Sequence, residues 1–214
     1  LDAKTGERVW HYQLVHHDLW DRDLPASPNL IELTIDHETI EAVAQITKSG
    51  HVFLFHRETG EPIFPIEERP FPPSDLKEEE AWPTQPIPTI PPPFARQQLK
   101  PSDITQISPE SNTLMSAKLK SVRSGGQFVP PSAAGTVIFP GFDGGGEWGG
   151  AAWDPATEWL YVNANEMPWI LTMVETGTDI STADISSGKL LYRRLCATCH
   201  GMDQEGDPQK TFPA

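Results

Sequence analysis

Cysteine is nearly absent from this chain. Two occur in 214 residues, Cys196 and Cys199, with only two positions between them. They are too close in sequence to tie distant segments together, so no structural disulfide is available to hold a fold. Long apolar runs are missing as well. The stretch around residues 169–174 falls far short of the ~20 apolar residues that span a bilayer. Positive charge is scarce: 16 Lys and Arg stand against 30 Asp and Glu, a formal net charge of −14. A surface of that sign repels a phosphate backbone and argues against nucleic acid as a partner, while it favours solubility. The chain opens at Leu1 without a Met and stops fourteen residues after His200, which predicts a piece of a longer protein. No signal peptide is visible at this start. What is present, 37% hydrophobic residues, is enough for the core of one or two domains.

Three regions separate by composition. Residues 1–64 alternate short β-rich runs with Gly turns. Residues 43–47 and 51–56 read as strands joined by Lys48-Ser49-Gly50, with Val52 and Leu54 on one face and Phe53 and Phe55 on the other. Residues 57–61 read as a tight turn. Residues 65–128 carry Pro70, Pro72, Pro73, Pro83, Pro86, Pro88 and the triplet Pro91-Pro92-Pro93. Proline removes a donor and fixes φ, so no regular sheet or helix is expected there. Phe71, Trp82, Ile87, Ile90 and Phe94 favour a long ordered loop over a disordered linker, which would carry few aromatics. Strands return at residues 135–139 and 159–162. Gly144-Gly145-Gly146 and Gly149-Gly150 flank Glu147-Trp148, a pattern that lets a backbone approach a flat ligand. From residue 187 to 199, Leu190, Leu191, Tyr192 and Leu195 fall at helical spacing.

A faint repeat occurs twice in the first region and once in the third. Leu1-Asp2-Ala3-Lys4-Thr5-Gly6-Glu7-Arg8-Val9-Trp10 is echoed by His56-Arg57-Glu58-Thr59-Gly60-Glu61-Pro62-Ile63-Phe64, and again by Trp153-Asp154-Pro155-Ala156-Thr157-Glu158-Trp159. Each copy joins a strand, a turn and an aromatic. Units of ~40–50 residues with four short strands suit a β-propeller, of which this chain would hold a few blades.

The run Cys196-Ala197-Thr198-Cys199-His200 has the spacing of a c-type haem attachment site. Two thiols add to the two vinyl groups of one haem, and the adjacent imidazole reaches the iron. A dithiol redox or zinc site is the rival reading of the cysteine pair. The preceding Gly188-Lys189-Leu190-Leu191-Tyr192 resembles the first helix of class I cytochromes c. Met202 is too near His200 to cross the ring as a sixth ligand. Haem attachment predicts a periplasmic location in a bacterium.

The tract Val15-His16-His17-Asp18-Leu19-Trp20-Asp21-Arg22-Asp23-Leu24-Pro25-Ala26 is dense in titratable groups and, alone, could be a solvated loop. With the Thr-Gly…Trp repeat, Ile46-Thr47-Lys48-Ser49-Gly50, Pro83-Thr84-Gln85-Pro86, Phe128-Val129-Pro130-Pro131-Ser132, Phe139-Pro140-Gly141 and Glu147-Trp148-Gly149-Gly150, it resembles the pyrroloquinoline-quinone (PQQ) dehydrogenases, nearest the membrane-bound glucose dehydrogenase branch. The resemblance covers roughly residues 1–170. It implies a mainly β chain: part of an eight-bladed quinoprotein propeller over 1–178, with 65–128 as a Pro-rich inserted loop. The start of an all-α cytochrome c domain would follow over 179–214.

The resemblance also implies roles. Asp21 matches the catalytic base that removes the substrate hydroxyl proton. Lys48 matches the cation that hydrogen-bonds the quinone oxygens. Glu147 and Trp148 match a segment lining the cofactor, and a Ca²⁺ or Mg²⁺ ion would act on the quinone as Lewis acid, with most of its ligands elsewhere. His16 and His17 would orient the loop. Cys196 and Cys199 would carry haem c, with His200 on the iron. The expected reaction is oxidation of an aldose or alcohol, with electrons passing through the haem to a downstream cytochrome, oxidase or quinone. Membrane association would come through segments outside this chain. A fused cytochrome departs from the glucose enzymes and is familiar from quinohaemoprotein alcohol dehydrogenases. The alternatives are a non-enzymatic propeller scaffold, or an electron-transfer cytochrome whose propeller has lost its chemistry.

Overall fold

The computed structural model describes residues 1–77, 79–174 and 187–202. Two compact units divide the chain, Leu1–Val174 and Glu175–Ala214. In the first, strands β1 (Asn29–Ile35), β2 (Glu38–Ile46) and β3 (Val52–His56) form an antiparallel sheet in that order. Ile35 pairs with Glu38, which leaves a two-residue loop. Its residues, Asp36 and His37, both take positive φ (52° and 68°). That is the turn geometry whose twist matches a hairpin, and Asp tolerates it better than most residues. β2 is central, and its second half, Ala42 to Ile46, is buried throughout.

The two faces of β3 pack into different clusters, as the alternation predicts. Val52 and Leu54 join Ile31, Ala42, Ala44 and Ile46. Phe53 and Phe55 join Leu14, with Trp10 and Ile66 against them. The first cluster is closed by Ala151, Trp153, Leu160 and Val162. These belong to a hairpin of β7 (Gly146–Asp154) and β8 (Trp159–Ala164). A third cluster gathers Trp20, Ile87, Phe128 and Ile138. Ile138 lies on β6 (Thr136–Ile138), which pairs with β9 (Trp169–Leu171).

The proline-rich segment departs from expectation. It contains an antiparallel pair, β4 (Ile66–Pro70) with β5 (Thr84–Pro88), and a 13-residue helix, α1 (Pro109–Ser121). In a two-stranded ribbon each strand has one free edge, so Pro70, Pro86 and Pro88 withhold no ladder bond the pair requires. Pro109 occupies the first turn of α1, where an N–H has no intrahelical partner. Ser108 caps the helix by accepting from Ser111 N–H at 3.1 Å. These four prolines therefore sit where they do no harm to the element that holds them.

The three repeat copies share turn geometry. Gly6 donates to Asp2 O at 2.8 Å and Gly60 to His56 O at 2.9 Å, both with φ of 75°. Thr5 Oγ1 accepts from Glu7 N–H, and Thr59 Oγ1 from Glu61 N–H, both at 3.2 Å. In the third copy Glu158 takes the positive φ (54°) that glycine takes in the others. Trp10 of the first copy lies on Gly60 of the second, with its indole N–H donating to Arg57 O at 3.0 Å. Among the described residues the sheets hold three, two, two and two strands, and none closes on itself.

The second unit shows α2 (Ser187–Leu195) and α3 (Ala197–His200). No described helix is long and apolar enough to cross a membrane.

Candidate functional site

Asp18 organises the acidic tract. Its Oδ1 accepts from Trp20 N–H at 2.8 Å and its Oδ2 from Arg22 N–H at 2.5 Å, so both carboxylate oxygens are spent on local backbone. His17 and Asp21 take left-handed conformations (φ 42° and 59°) inside this turn. The segment then alternates. Trp20 and Arg22 point inward, 1% and 3% exposed, while the side chains of Asp21 and Asp23 are each more than half exposed.

Trp20 anchors the turn. Its indole N–H donates to Val129 O at 2.8 Å, and its ring meets Phe128 edge-on at 5.2 Å between centroids. His16 ties the start of the tract to the β4–β5 ribbon. Gln85 and His16 exchange two bonds of 2.8 Å between amide side chain and backbone, and His16 Nε2 meets Glu68 Oε1 at 3.0 Å. His16 therefore orients the loop, as its sequence context implies.

Lys48 sits on the five-residue connection between β2 and β3. Thr47 N–H donates to His51 O, and Gly50 N–H to Thr47 O. The Lys48 side chain is 8% exposed, and its Nζ meets Asp23 Oδ1 at 2.6 Å, Asp21 Oδ2 at 2.9 Å and Glu147 Oε1 at 3.5 Å. Burial works to lower the Lys48 pKa, but the hydrogen bonds and charges of Asp23 and Asp21 outweigh it and hold the ammonium above the ordinary lysine range. The structure thus brings Asp21, Lys48 and Glu147 together from three separate segments.

Asp23, the nearest of the three carboxylates, escaped sequence reasoning. The period-two run Trp20-Asp21-Arg22-Asp23 was the signal available: the alternation that buries Trp20 and Arg22 delivers both aspartates to one side.

The glycine run packs on the Lys48 turn. Gly145 N–H donates to Lys48 O at 2.6 Å, and Gly146 N–H to Thr47 O at 3.1 Å. A Cβ on Gly144, whose φ is +72°, would strike the Lys48 side chain, and one on Gly145 would lie 2.7 Å from Gly50 Cα. The close approach that residues 144–146 permit is therefore to the Lys48 turn, and it carries Glu147 to the ammonium. Trp148 lies next to the cluster in sequence, with its side chain out in solvent at 79% exposure. Among the described residues, no group of three or more His, Cys, Asp or Glu is arranged to hold a metal ion.

Two further buried groups border Lys48. Arg22 is pushed down to about 10 by burial, against the opposing charges of Asp18 and Asp21. His51 is pushed down to about 4, first by burial and then by the Arg69 guanidinium, and its Nδ1 lies 3.4 Å from Ser49 Oγ.

In the second unit Cys196 is exposed and unpaired. His200 N–H donates to Cys196 O at 3.0 Å and Gly201 N–H to Ala197 O at 2.9 Å, so Cys196, Cys199 and His200 lie on one helical turn. The Tyr192 hydroxyl donates to Gly201 O at 2.9 Å and closes the end of that turn against α2.

A mainly β chain with a lysine held among carboxylates is the setting in which the comparisons with known proteins fall. Residues 1–204 match the PQQ family model described as glucose/ethanol/alcohol dehydrogenase, beta-propeller domain, and the chain belongs to that family. It is 37% identical over 180 residues to the quinoprotein glucose dehydrogenase of Gluconobacter oxydans (83% of this chain, 22% of the relative). It is 34% identical over 183 residues to that of Escherichia coli (83% and 22%). It is also 36% identical over 182 residues to the quinate/shikimate dehydrogenase (quinone) of Acinetobacter baylyi (84% and 22%). The chain thus spans about a fifth of the length of these relatives.

Proposed function

We propose that this chain is part of a PQQ-dependent dehydrogenase that oxidises a CH–OH group of a sugar or alcohol. The observation that carries the reading is the buried Lys48 ammonium bracketed by Asp21, Asp23 and Glu147. The residues fit the cofactor in their donor chemistry. Lys48 offers N–H donors to the oxygens of an ortho-quinone, and the exposed Trp148 offers an uncovered ring face to a planar ligand. When bound, the quinone would supply the two-electron acceptor, and a Ca²⁺ or Mg²⁺ ion, with most of its ligands outside this chain, would supply Lewis acidity.

Asp21 suits the base. Its carboxylate is ordered by the Lys48 contact yet more than half exposed, so a substrate hydroxyl can reach it and deliver its proton to Oδ1 or Oδ2. Asp23 and Glu147 keep Lys48 charged while Asp21 is engaged elsewhere. Trp20 and Arg22 fix the backbone on both sides of the base, so that little reorganisation is needed on binding. The glucose, glycerol and quinate dehydrogenases among the relatives share this domain and support a polyol- or sugar-like substrate.

The helical turn at Cys196, Cys199 and His200 suits covalent haem c: the two thiols would add to its vinyl groups to form thioethers, and the His200 imidazole would ligate the iron. The reading then includes one-electron exit through that haem to a downstream cytochrome, oxidase or quinone, in the bacterial periplasm. The fold that goes with it is a set of blades of an eight-bladed propeller, followed by the start of a cytochrome c domain.

The full-length protein, loaded with PQQ and Ca²⁺ or Mg²⁺, tests this. It is expected to bleach a dye acceptor with an aldose or alcohol and to show a c-type haem spectrum that reduces on substrate addition. Asp21→Asn should lower kcat by about 10²–10⁴-fold. Full turnover by that variant refutes the assignment of the base, and a protein without bound haem refutes the electron route.

A further inference from the structure

Arg22 is an unusual residue to bury. Its guanidinium is out of water, and it faces backbone carbonyls rather than a carboxylate. It donates to Pro140 O at 2.7 Å, Gly141 O at 3.2 Å and Lys48 O at 3.3 Å. Desolvating a cation costs several kcal/mol unless its hydrogen bonds are replaced. A small apolar residue would fill such a position without that cost, so the arginine marks a place where geometry matters. The planar fork of a guanidinium reaches three carbonyls on two other segments at once; a lysine ammonium is a compact point charge without that fixed fork.

The acceptors are informative. Lys48 O accepts from Arg22 and also from Gly145 N–H at 2.6 Å. Gly141 O accepts from Arg22 and also from Gly144 N–H at 2.9 Å. The arginine therefore ties three strips of chain at shared oxygens: its own segment, the Lys48 connection, and the 140–146 run that ends in Glu147. Asp21 and Asp23 are its immediate neighbours in sequence, and both reach Lys48 Nζ. Asp21 takes φ 59°, a left-handed conformation uncommon outside glycine that aspartate tolerates better than most residues.

We propose that Arg22 is the positioning residue of the site: by clamping the carbonyls of Lys48, Pro140 and Gly141 it holds Asp21 and Asp23 astride the Lys48 ammonium. The inference rests on the dehydrogenase reading for its catalytic consequence, but not for its geometric one. Without the clamp, the backbone of residues 21–23 loses its reference to the Lys48 turn. The two carboxylates then drift from Nζ, and the amine becomes more exposed and more readily deprotonated.

The test uses the full-length protein with Arg22→Gln, Arg22→Lys and Arg22→Ala, and two independent readouts. The first is the rate at which Lys48 is acylated by acetic anhydride, followed by peptide mass spectrometry, which needs neither cofactor nor turnover. In the native protein Lys48 should be among the slowest lysines; in Arg22→Gln it should react about tenfold faster, as the ion pairs that hold it protonated are released. The second is PQQ-dependent turnover. Arg22→Gln should lose about 10²-fold in kcat, the scale of an ångström-sized misplacement, with substrate KM little changed. Millimolar guanidinium should restore part of both properties to Arg22→Ala, whereas a role in folding alone would not be rescued at the folded protein. Arg22→Lys should fall between the native protein and Arg22→Gln.

Native-like Lys48 reactivity in Arg22→Gln overturns the clamp, whatever the activity does. Active native protein with unaltered kcat in all three variants overturns its catalytic consequence. Native protein that never turns over sinks the dehydrogenase reading, while the acylation rates still decide the clamp. Should Arg22→Gln not fold, the contrast of Arg22→Lys with the native protein decides it: equal acylation rates count against the proposal.

Discussion

His51 makes the protein acid-sensitive in a way that can be isolated. The imidazole is buried beside Ser49, and burial together with the Arg69 guanidinium pushes its pKa from the ordinary 6.5 down to about 4. An unfolded chain binds a proton at this residue below 6.5, whereas the folded chain refuses it until about 4. Between those values the unfolded state holds more protons, so folding stability falls as pH falls through that window and the His51 contribution levels off below it. Each pK unit is worth about 1.4 kcal/mol, so the full loss is about 3 kcal/mol, of which about 2–3 kcal/mol is already in force near pH 4.5. His51→Asn removes the titration and keeps a polar N–H near Ser49 Oγ. Urea unfolding of both proteins at about pH 7 and about pH 4.5 cancels the carboxylates they share. The native protein should lose about 2–3 kcal/mol more than the variant across that interval. Equal losses would refute the argument, because they would mean that His51 takes up its proton as readily in the folded state as in the unfolded one.

Trp20→Phe should destabilise the protein by about 2–3 kcal/mol, since it leaves the buried Val129 carbonyl without its donor and opens a small void beside Phe128; a shift in the denaturation midpoint worth under about 0.5 kcal/mol would contradict the anchoring role. Asp23→Asn removes the nearest partner of Lys48. The lysine's folded pKa is raised above its unfolded value, so its stabilising charge is complete below the unfolded pKa and lost as pH rises through the folded one. With Asp23 neutralised the folded pKa moves back toward the unfolded one, so the alkaline loss of stability should be smaller and complete at lower pH, and alkaline unfolding profiles of the two proteins would show the difference.

Much of the site can be read in the sequence because its pieces are local. The hairpin residues around Lys48, the alternation of β3 and the helical spacing before Cys196 each depend on a few neighbours, and periodicity reports such things directly. The Asp21–Lys48 pairing was accessible through resemblance, although nothing in the residues themselves brings position 21 to position 48. The proline-rich segment is not legible in the same way, because proline content speaks of what a chain cannot do in general. Whether a given proline sits on a free ribbon edge or in the first turn of a helix depends on which edge has a partner. The glycines at 144–146 were recognised as a site of close approach, but the identity of what they approach is set by the packing of the 140–146 run on the β2–β3 connection.

By itself, then, the sequence determined the β character of residues 1–64 and 129–174, the three-fold repeat of the turn, the helix leading to Cys196 and the residue types of a charged site. These follow from local propensity and alternation. Only the tertiary structure decided that Asp23 lies nearer Lys48 than Asp21 does, that Arg22 turns inward to three carbonyls, and that Trp148 faces solvent. The physical reason is common to all three. A charged or aromatic side chain has no preferred side of the chain until burial makes one side costly, and which side that is depends on segments as much as 119 residues away, the separation of Arg22 from Gly141.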